Sequence, residues 1–170
     1  VFELKERPLA NPLIVHVLDL EQAEQIAYVN STAKLFCQKF WPGPLTIILP
    51  KRKVVPDSVT AGLDTVAMRS PSHPLFRKML QETAQPIAAP SANPFSRVSS
   101  TTPQEVFDSF GEDCPPVLDG GKCNIGLEST VLDLTSDTPS ILRPGPISKN
   151  ELEEFLGIEI RNSSKIRGAK

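Results

Sequence analysis

The sequence lacks the residues from which several common kinds of site are built. It contains two histidines and only three cysteines, Cys37, Cys114 and Cys123, which show no paired metal-ligand spacing. A structural zinc site is therefore not expected. An odd number of cysteines also fits a reducing compartment better than a disulfide-stabilised secreted protein, so we expect a cytoplasmic location.

Long apolar runs and an excess of positive charge are missing as well. No run approaches the length of a membrane span and no signal-peptide pattern is present, so we expect no membrane association. The net charge is −2, from 18 Lys and Arg against 20 Asp and Glu, so overall basicity gives no argument for nucleic-acid binding. With 39% hydrophobic and 22% charged residues, the 170 residues are typical of one globular domain.

Four familiar catalytic motifs are absent too. The sequence has no GxxxxGK[ST] phosphate loop, no G-x-S-x-G nucleophile elbow, no HExxH and no CxxC. A bound phosphate would therefore have to be held by side chains and by scattered backbone amides.

Hydrophobic patterning predicts a mixed arrangement of strands and helices. We predict strands at 13–18, 45–49, 65–69, 87–89, 116–119, 129–134 and 140–143. We predict helices at 20–29, 31–40, 73–83, 103–110 and 149–156, with Ser31, Thr102 and Ser148 as N-terminal caps. Strands and helices do not alternate strictly, and the last two strands form an apparent hairpin. The fold class is therefore predicted to be α/β of the α+β type, with helices packed on a mixed sheet.

Polar side chains follow the short apolar run 87–89. Ser91 and Asn93 stand there between Pro90 and Pro94, among small residues that would let a ligand approach the backbone. Open α/β sheets bind ligands beyond the carboxyl ends of their strands. The alternative is an ordinary proline-bounded turn, which is the better interpretation of this segment taken alone.

Four cations lie close to predicted strand ends. Lys5 and Arg7 come just before the first strand. Arg69 ends an apolar strand, and Arg143 precedes a Pro-Gly-Pro turn. Such positions suit an anion clamp. The alternatives are a solvated helix end for Lys5 and Arg7, and an ion pair between Arg69 and an acid such as Asp64.

His16 and the segment 126–130 are further candidates. His16 interrupts an apolar strand, where a hydrogen-bonded core residue is more common than a catalyst. Segment 126–130 supplies hydroxyls at the start of a strand, for which turn chemistry is the alternative. Together with the four cations and no obvious nucleophile, these residues favour an enzyme that binds a polyanion such as ATP together with a small carboxylate. It would act by positioning and charge stabilisation.

Eight segments, in order, resemble the YrdC-like family, the threonylcarbamoyl-AMP synthases. They are Lys5-Glu6-Arg7 (the family's KxR), 11–16 (NPLIVH), 41–46 (WPGPLT), 60–69 (TAGLDTVAMR), 89–93 (APSAN, its SxN), 119–121 (DGG), 128–131 (ESTV) and 142–146 (LRPGP). The resemblance extends to about residue 157.

This resemblance implies a three-layer fold around a twisted mixed parallel and antiparallel sheet, with flanking helices and a central concave cavity. It also implies that L-threonine, bicarbonate or CO2, and ATP give L-threonylcarbamoyladenylate and pyrophosphate. A partner protein or complex would then transfer the threonylcarbamoyl group to a tRNA adenosine, so tRNA would be an indirect or weak partner.

The resemblance also implies roles for individual residues. The catalytic positions correspond to Lys5, Arg7, Ser91 and Asn93. The ATP-binding positions correspond to Arg7, Asn11, Ser91, Ser99 and Arg143. The threonine pocket corresponds to His16, Thr65, Arg69, Ala89 and Ser129. Mg2+ is expected with ATP, because it commonly neutralises triphosphate charge, although the sequence shows no dedicated metal cluster.

Two departures from the family pattern concern the ends of the chain. Longer members of the family continue past a linker into a second domain, and residues 158–170 resemble the start of that linker. A segment with a TDTVYGLG-like stretch, which contributes a threonine-binding residue in the family, is absent before Lys5. We therefore expect 1–157 to be an N-terminally incomplete YrdC-like domain and 158–170 to begin a linker, and the chain alone could be inactive. The remaining alternatives are a hydrogenase-maturation carbamoyltransferase domain that handles a carbamoyl-adenylate, and a non-catalytic RNA-binding module.

Overall fold

A computed structural model describes residues 1–163. Its strands are β1 (Ile14–His16), β2 (Leu45–Pro50), β3 (Thr65–Arg69), β4 (Ile87–Ala88), β5 (Thr130–Asp133), β6 (Ser140–Arg143) and β7 (Arg161–Asn162). Its α-helices are α1 (Phe2–Lys5), α2 (Leu20–Ile26), α3 (Ser31–Phe40), α4 (Asp57–Thr60), α5 (Pro74–Thr83), α6 (Pro103–Phe110) and α7 (Lys149–Leu156). A 3-10 turn, Gly111–Asp113, follows α6.

The seven strands form one sheet in the order β4-β1-β3-β2-β5-β6-β7. β1 is parallel to β3, β2 to β5 and β6 to β7, whereas the other three neighbouring pairs are antiparallel. The prediction of a mixed sheet with a late hairpin, β5–β6, is therefore confirmed.

Side-chain oxygens fix the beginnings of α3, α6 and α7. Thr102 and Ser148 accept hydrogen bonds from the backbone three residues later, as predicted for α6 and α7. The prediction that Ser31 caps α3 is wrong. The Asn30 side chain accepts from the backbone N–H of Ala33 at 2.8 Å, and Ser31 is already the first helical residue. Asn and Ser are both favoured N-cap residues, so two neighbouring candidates stand at the start of this helix.

The two faces of the sheet differ in polarity. Along β3, Val66 and Met68 point into the main core, whereas Thr65, Ala67 and Arg69 alternate with them and stay partly exposed. Helices α2, α3 and α7 cover the apolar face through residues such as Ala23, Phe36 and Leu152. On the other face, Phe76 of α5 contacts His16. We call that second side, which carries the polar strand residues, the open face.

One predicted strand does not form. Residues 116–119 adopt neither helix nor strand in the structure. Pro115 and Pro116 have no N–H to donate to a neighbouring strand, and the apolar Leu118 is exposed. The apolar run therefore reflects a surface loop and not a buried strand.

The chain remains packed beyond the predicted domain boundary at residue 157. Ile160 is fully buried, and Arg161–Asn162 pair with β6 as an edge strand. The rest of the predicted linker, 164–170, lies outside the described residues. Along residues 1–163, no helix has both the length and the apolar character needed to cross a bilayer.

Candidate functional site on the open face

The sheet brings the predicted threonine-pocket residues to one side. His16 and Arg69 are partners in the parallel β1–β3 register, so they lie next to each other at the ends of their strands. Ser129 directly precedes β5. Because side chains alternate between the two faces of a strand, Ser129 lies on the open face, opposite to the core residue Leu132. Its hydroxyl lies 2.7 Å from the Thr46 hydroxyl, and both side chains are buried. The pairing of β2 with β3 and β5 thus gathers three segments that are far apart in sequence.

Arg143 is fixed by Ser129. Its Nε and Nη2 donate to the Ser129 carbonyl at 3.1 and 2.9 Å, and Nη2 also donates to the Ser129 hydroxyl at 3.0 Å. Gly145 makes the approach of this turn possible, because a Cβ there would lie 2.4 Å from the Thr130 backbone nitrogen. A predicted ATP-binding residue and a predicted threonine-binding residue are therefore coupled directly.

Arg69 is a partly buried cation without a carboxylate partner. Its Nε donates to the Gly43 carbonyl at 3.1 Å, and within residues 1–163 no acid comes within ion-pair distance of it. Burial and then the positive charge of Arg143 lower its pKa. The alternative of an ion pair with Asp64 is not what the structure shows. Two neighbouring guanidinium groups on a half-open surface are suited to receive an anion.

His16 is held in its neutral form. Its Nδ1 lies 3.3 Å from the Ile87 carbonyl, and its ring packs edge-on against Phe76. Burial, and then the charge of Arg69, lower the pKa of His16 to about 4, against a smaller opposing effect of the hydrogen bond to Ile87. A neutral imidazole beside Arg69 can hydrogen-bond a ligand hydroxyl, but it adds no positive charge.

Lys5 ties the beginning of the chain to the segment that follows β4. Its side chain is 4% exposed, and its ammonium donates to the backbone carbonyls of Ser91 and Asn93. Burial and the nearby charge of Arg7 lower the pKa of Lys5. The alternative of a solvated helix end therefore does not describe Lys5.

Asn93 organises the loop that carries it. Its Nδ2 donates to the carbonyls of Pro94 and Arg97, at 3.1 and 2.8 Å. Its Oδ1 is buried and has no hydrogen-bond partner among the described residues. A buried acceptor without a donor is costly, so this oxygen is a candidate contact for a ligand donor. The alternative of a simple turn thus leaves one feature of this loop unexplained.

Arg7 lies beside Lys5 and reaches the chain before β1. Its Nη2 donates to the Pro12 carbonyl at 2.8 Å, and its Nε lies 3.4 Å from the carbonyl of Asn11. Its guanidinium also lies 5.9 Å from the centre of the Phe95 ring. The Asn11 carbonyl therefore helps to orient Arg7.

Of the other two predicted threonine-pocket residues, Thr65 lies away from the His16–Arg69 pair, whereas Ala89 lies beside β1. Thr65 is at the opposite end of β3 from Arg69, about 13 Å along the strand at the usual rise per residue. The Ala89 N–H donates to the Ile14 carbonyl at 3.1 Å, on the side of β1 where the chain leads to Ser91. The pairing of β4 with β1 thus keeps Ala89 beside the strand that carries His16, whereas Thr65 lies at the far end of β3.

Two further residues, which lie in segments noted in the sequence but were not among the predicted site residues, contribute to this surface. Thr46 places a polar hydroxyl inside the buried strand β2, and a polar residue in an apolar strand is a pattern that sequence reasoning could have used to find it. Glu128 accepts from the Ser99 hydroxyl at 3.3 Å and pairs with Arg143. Burial lowers the pKa of both Lys5 and Arg7, and the negative charge of Glu128 opposes this shift, so Glu128 lies within electrostatic range of both cations. The sequence gives no signal that Glu128 joins these cations.

The fold and these side chains define an α/β protein whose mixed sheet carries cations and hydroxyls on one open face. Comparison with known proteins agrees. Residues 1–145 match the Sua5/YciO/YrdC family model, whose description is telomere recombination. The chain belongs to this family.

Named relatives lie within the family. The chain is 44% identical over 169 residues to a threonylcarbamoyl-AMP synthase of Pyrococcus abyssi, covering 99% of this chain and 49% of the relative. It is 44% identical over 159 residues to that of Bacillus subtilis, covering 92% and 46%. The crystal structure of P. abyssi Sua5 complexed with L-threonine superposes with a TM-score of 0.93 at 44% identity, covering 99% of this chain and 50% of that one. The chain thus spans about half the length of these relatives.

Proposed function

We propose that this chain is the adenylate-forming domain of a threonylcarbamoyl-AMP synthase. In the proposed reaction L-threonine, bicarbonate or CO2, and ATP give L-threonylcarbamoyladenylate and pyrophosphate, for the threonylcarbamoyladenosine modification of tRNA. The observation that carries the proposal is the open face, where Arg69 has no carboxylate partner among the described residues and is the strand partner of His16. The positive charge of Arg143 also acts on Arg69. The threonine complex of a 44% identical relative supports the same assignment.

The proposed threonine site uses the geometry at the ends of β1 and β3. The Arg69 guanidinium binds the carboxylate of threonine, with the Ser129 hydroxyl as a second contact. The neutral His16 imidazole hydrogen-bonds a polar group of threonine without competing for its carboxylate. Thr65, at the far end of β3, and Ala89, beside β1, would border the ligand and not bind its carboxylate.

The proposed nucleotide site uses the other cations. Arg7 and Arg143 contact phosphate oxygens, with Asn11, Ser91 and Ser99 as polar neighbours. Once the threonine nitrogen carries CO2 as a carbamate, a carbamate oxygen attacks the α-phosphorus and pyrophosphate leaves. Lys5 and Arg7 stabilise the negative charge that accumulates as the bond to pyrophosphate breaks. The loop carbonyls that hold Lys5, and the Asn93 side chain, keep these groups in place.

Mg2+ is proposed to arrive with ATP. The described residues form no group of three His, Cys, Asp or Glu side chains that could hold a metal by themselves. The triphosphate would therefore provide most of the ligands for the ion. We also propose a cytoplasmic location and a separate transferase protein or complex as the partner that receives the product, with tRNA as an indirect or weak partner.

The decisive assay is pyrophosphate release from ATP with bicarbonate, with and without L-threonine, using the full-length P. abyssi relative as positive control. Threonine-dependent release by this chain is the expected result. Arg69→Ala should raise the threonine concentration needed for half-maximal rate at least tenfold, because a charge-assisted carboxylate contact is lost. Arg161→Ala, which removes an exposed arginine of β7, is the matched control.

Binding measurements separate a failure of catalysis from a failure of the proposal. If the chain releases no pyrophosphate but binds both L-threonine and ATP in calorimetry, the substrates are assigned correctly and the chain is not sufficient for catalysis. A folded chain that binds neither ligand would refute the proposed function.

A further inference from the structure

Glu128 is a carboxylate placed among the cations and hydroxyl of the proposed nucleotide site. One of its oxygens pairs with Arg143 Nη1, and the other accepts from the Ser99 hydroxyl at 3.3 Å. Its charge also acts on Lys5 and Arg7. The Glu128 side chain thus contacts two of the groups proposed to act on ATP, Arg143 and Ser99, and acts electrostatically on two more, Lys5 and Arg7.

The contacts of Arg143 show which of its hydrogen bonds can break without moving the guanidinium group. Nε and Nη2 are held by the carbonyl and hydroxyl of Ser129, whereas Nη1 is the nitrogen that pairs with Glu128. Withdrawal of Glu128 would therefore leave the guanidinium fixed in position with one edge free for another anion. The Ser99 hydroxyl would be released at the same time.

The position of Glu128 permits such a withdrawal. Its side chain is 47% exposed, and the preceding residues 114–127 belong to no helix or strand. Ion pairs as exposed as this one contribute little to stability, because water screens them and holding two long side chains costs entropy. Breaking the Glu128–Arg143 pair thus costs the fold little.

We propose that Glu128 is a displaceable counter-ion that neutralises the nucleotide site when it is empty and leaves Arg143 and Ser99 when a polyphosphate binds. This inference rests on the proposed function, since it takes the same cations to bind ATP. A carboxylate and a phosphate group cannot share Arg143 Nη1 without strong like-charge repulsion. Glu128 therefore weakens polyphosphate binding, and it disfavours singly charged anions, whose attraction to the cations is too weak to displace it.

The test compares polyphosphate binding by the wild type, Glu128→Gln and Glu128→Asp. Inorganic tripolyphosphate and ATP are titrated calorimetrically at low salt with a chelator present, so that Mg2+ takes no part. Glu128→Gln is expected to bind both about three- to tenfold more tightly, because the competing charge is gone. Glu128→Asp keeps the charge and should stay near the wild type. Glu21→Gln, which removes an exposed charge on α2 across the sheet, is the matched control.

The opposite results overturn the inference. Unchanged or weaker tripolyphosphate binding by a folded Glu128→Gln variant would mean that Glu128 positions Arg143 and does not compete for it. If Glu128→Gln weakens ATP binding only when Mg2+ is added, Glu128 contacts the metal ion and is not a counter-ion. If the wild type binds neither ATP nor tripolyphosphate, both this inference and the proposed nucleotide site fail. If the wild type binds tripolyphosphate tightly and Glu128→Gln binds it no more tightly, only this inference is refuted.

Discussion

Protonation of His16 is expected to destabilise the folded chain as the pH falls from 6.5 towards 4. In the unfolded chain the imidazole takes up a proton near its ordinary pKa of 6.5, whereas burial and Arg69 lower the pKa of His16 to about 4 in the fold. The unfolded state therefore binds the proton first. The stabilisation is complete above pH 6.5 and is lost as the pH falls through this window.

The size of the effect follows from the two pKa values. The difference between 6.5 and about 4 corresponds to about 3 kcal/mol once the pH is below 4, and to about 2 kcal/mol at pH 5. These are upper bounds, because His16 is partly exposed and water screens some of its charge. Even half of this effect is a large fraction of the stability of a typical domain.

Urea unfolding at pH 8 and pH 5 measures the effect. His16→Asn keeps a side-chain donor for the Ile87 carbonyl but removes the titrating ring, so its stability should fall less between the two pH values than that of the wild type. His73→Asn replaces the other histidine, which is exposed, and should lose as much stability between pH 8 and pH 5 as the wild type does. If His16→Asn and the wild type lose stability equally, the argument that His16 is held neutral is wrong.

Three further outcomes are expected. Gly145→Ala should lower the free energy of unfolding by about 1–3 kcal/mol, because the new Cβ would lie 2.4 Å from a backbone nitrogen of β5, whereas Gly126→Ala, with open space around it, should not. The Cys37 thiol, whose pKa burial raises to about 12, should resist alkylation of the native protein at pH 8 while the exposed Cys123 reacts, as mass spectrometry would show. Lys5→Met should lower the free energy of unfolding in urea by about 1–3 kcal/mol, because the carbonyls of Ser91 and Asn93 lose their donor. The same substitution should abolish pyrophosphate release. Unchanged stability and activity would contradict the position of Lys5 between the loop and the nucleotide site.

Most elements of the fold could be predicted because their signals are local. Runs of β-branched residues indicated the strands of the sheet, and Thr102 and Ser148 identified two helix starts. The errors also have local causes. Asn30 and Ser31 are both capable caps, and only the folded geometry selects between them. The apolar residues at 116–119 resemble a strand, but the prolines beside them cannot complete a ladder.

The sequence by itself determined the chemistry available to this protein: a mixed α/β fold, four cations near strand ends, and no metal cluster or nucleophile motif. Tertiary structure alone decided how those groups meet. Sheet order placed the Thr46 hydroxyl beside that of Ser129, and Glu128 reached Arg143 and Ser99 from a loop. Neither juxtaposition can be read from the chain, because contacts between residues 15 to 83 positions apart depend on strand register and loop path. Burial likewise turned Lys5 from an apparent surface cation into an internal anchor, since its exposure depends on the loop that closes over it.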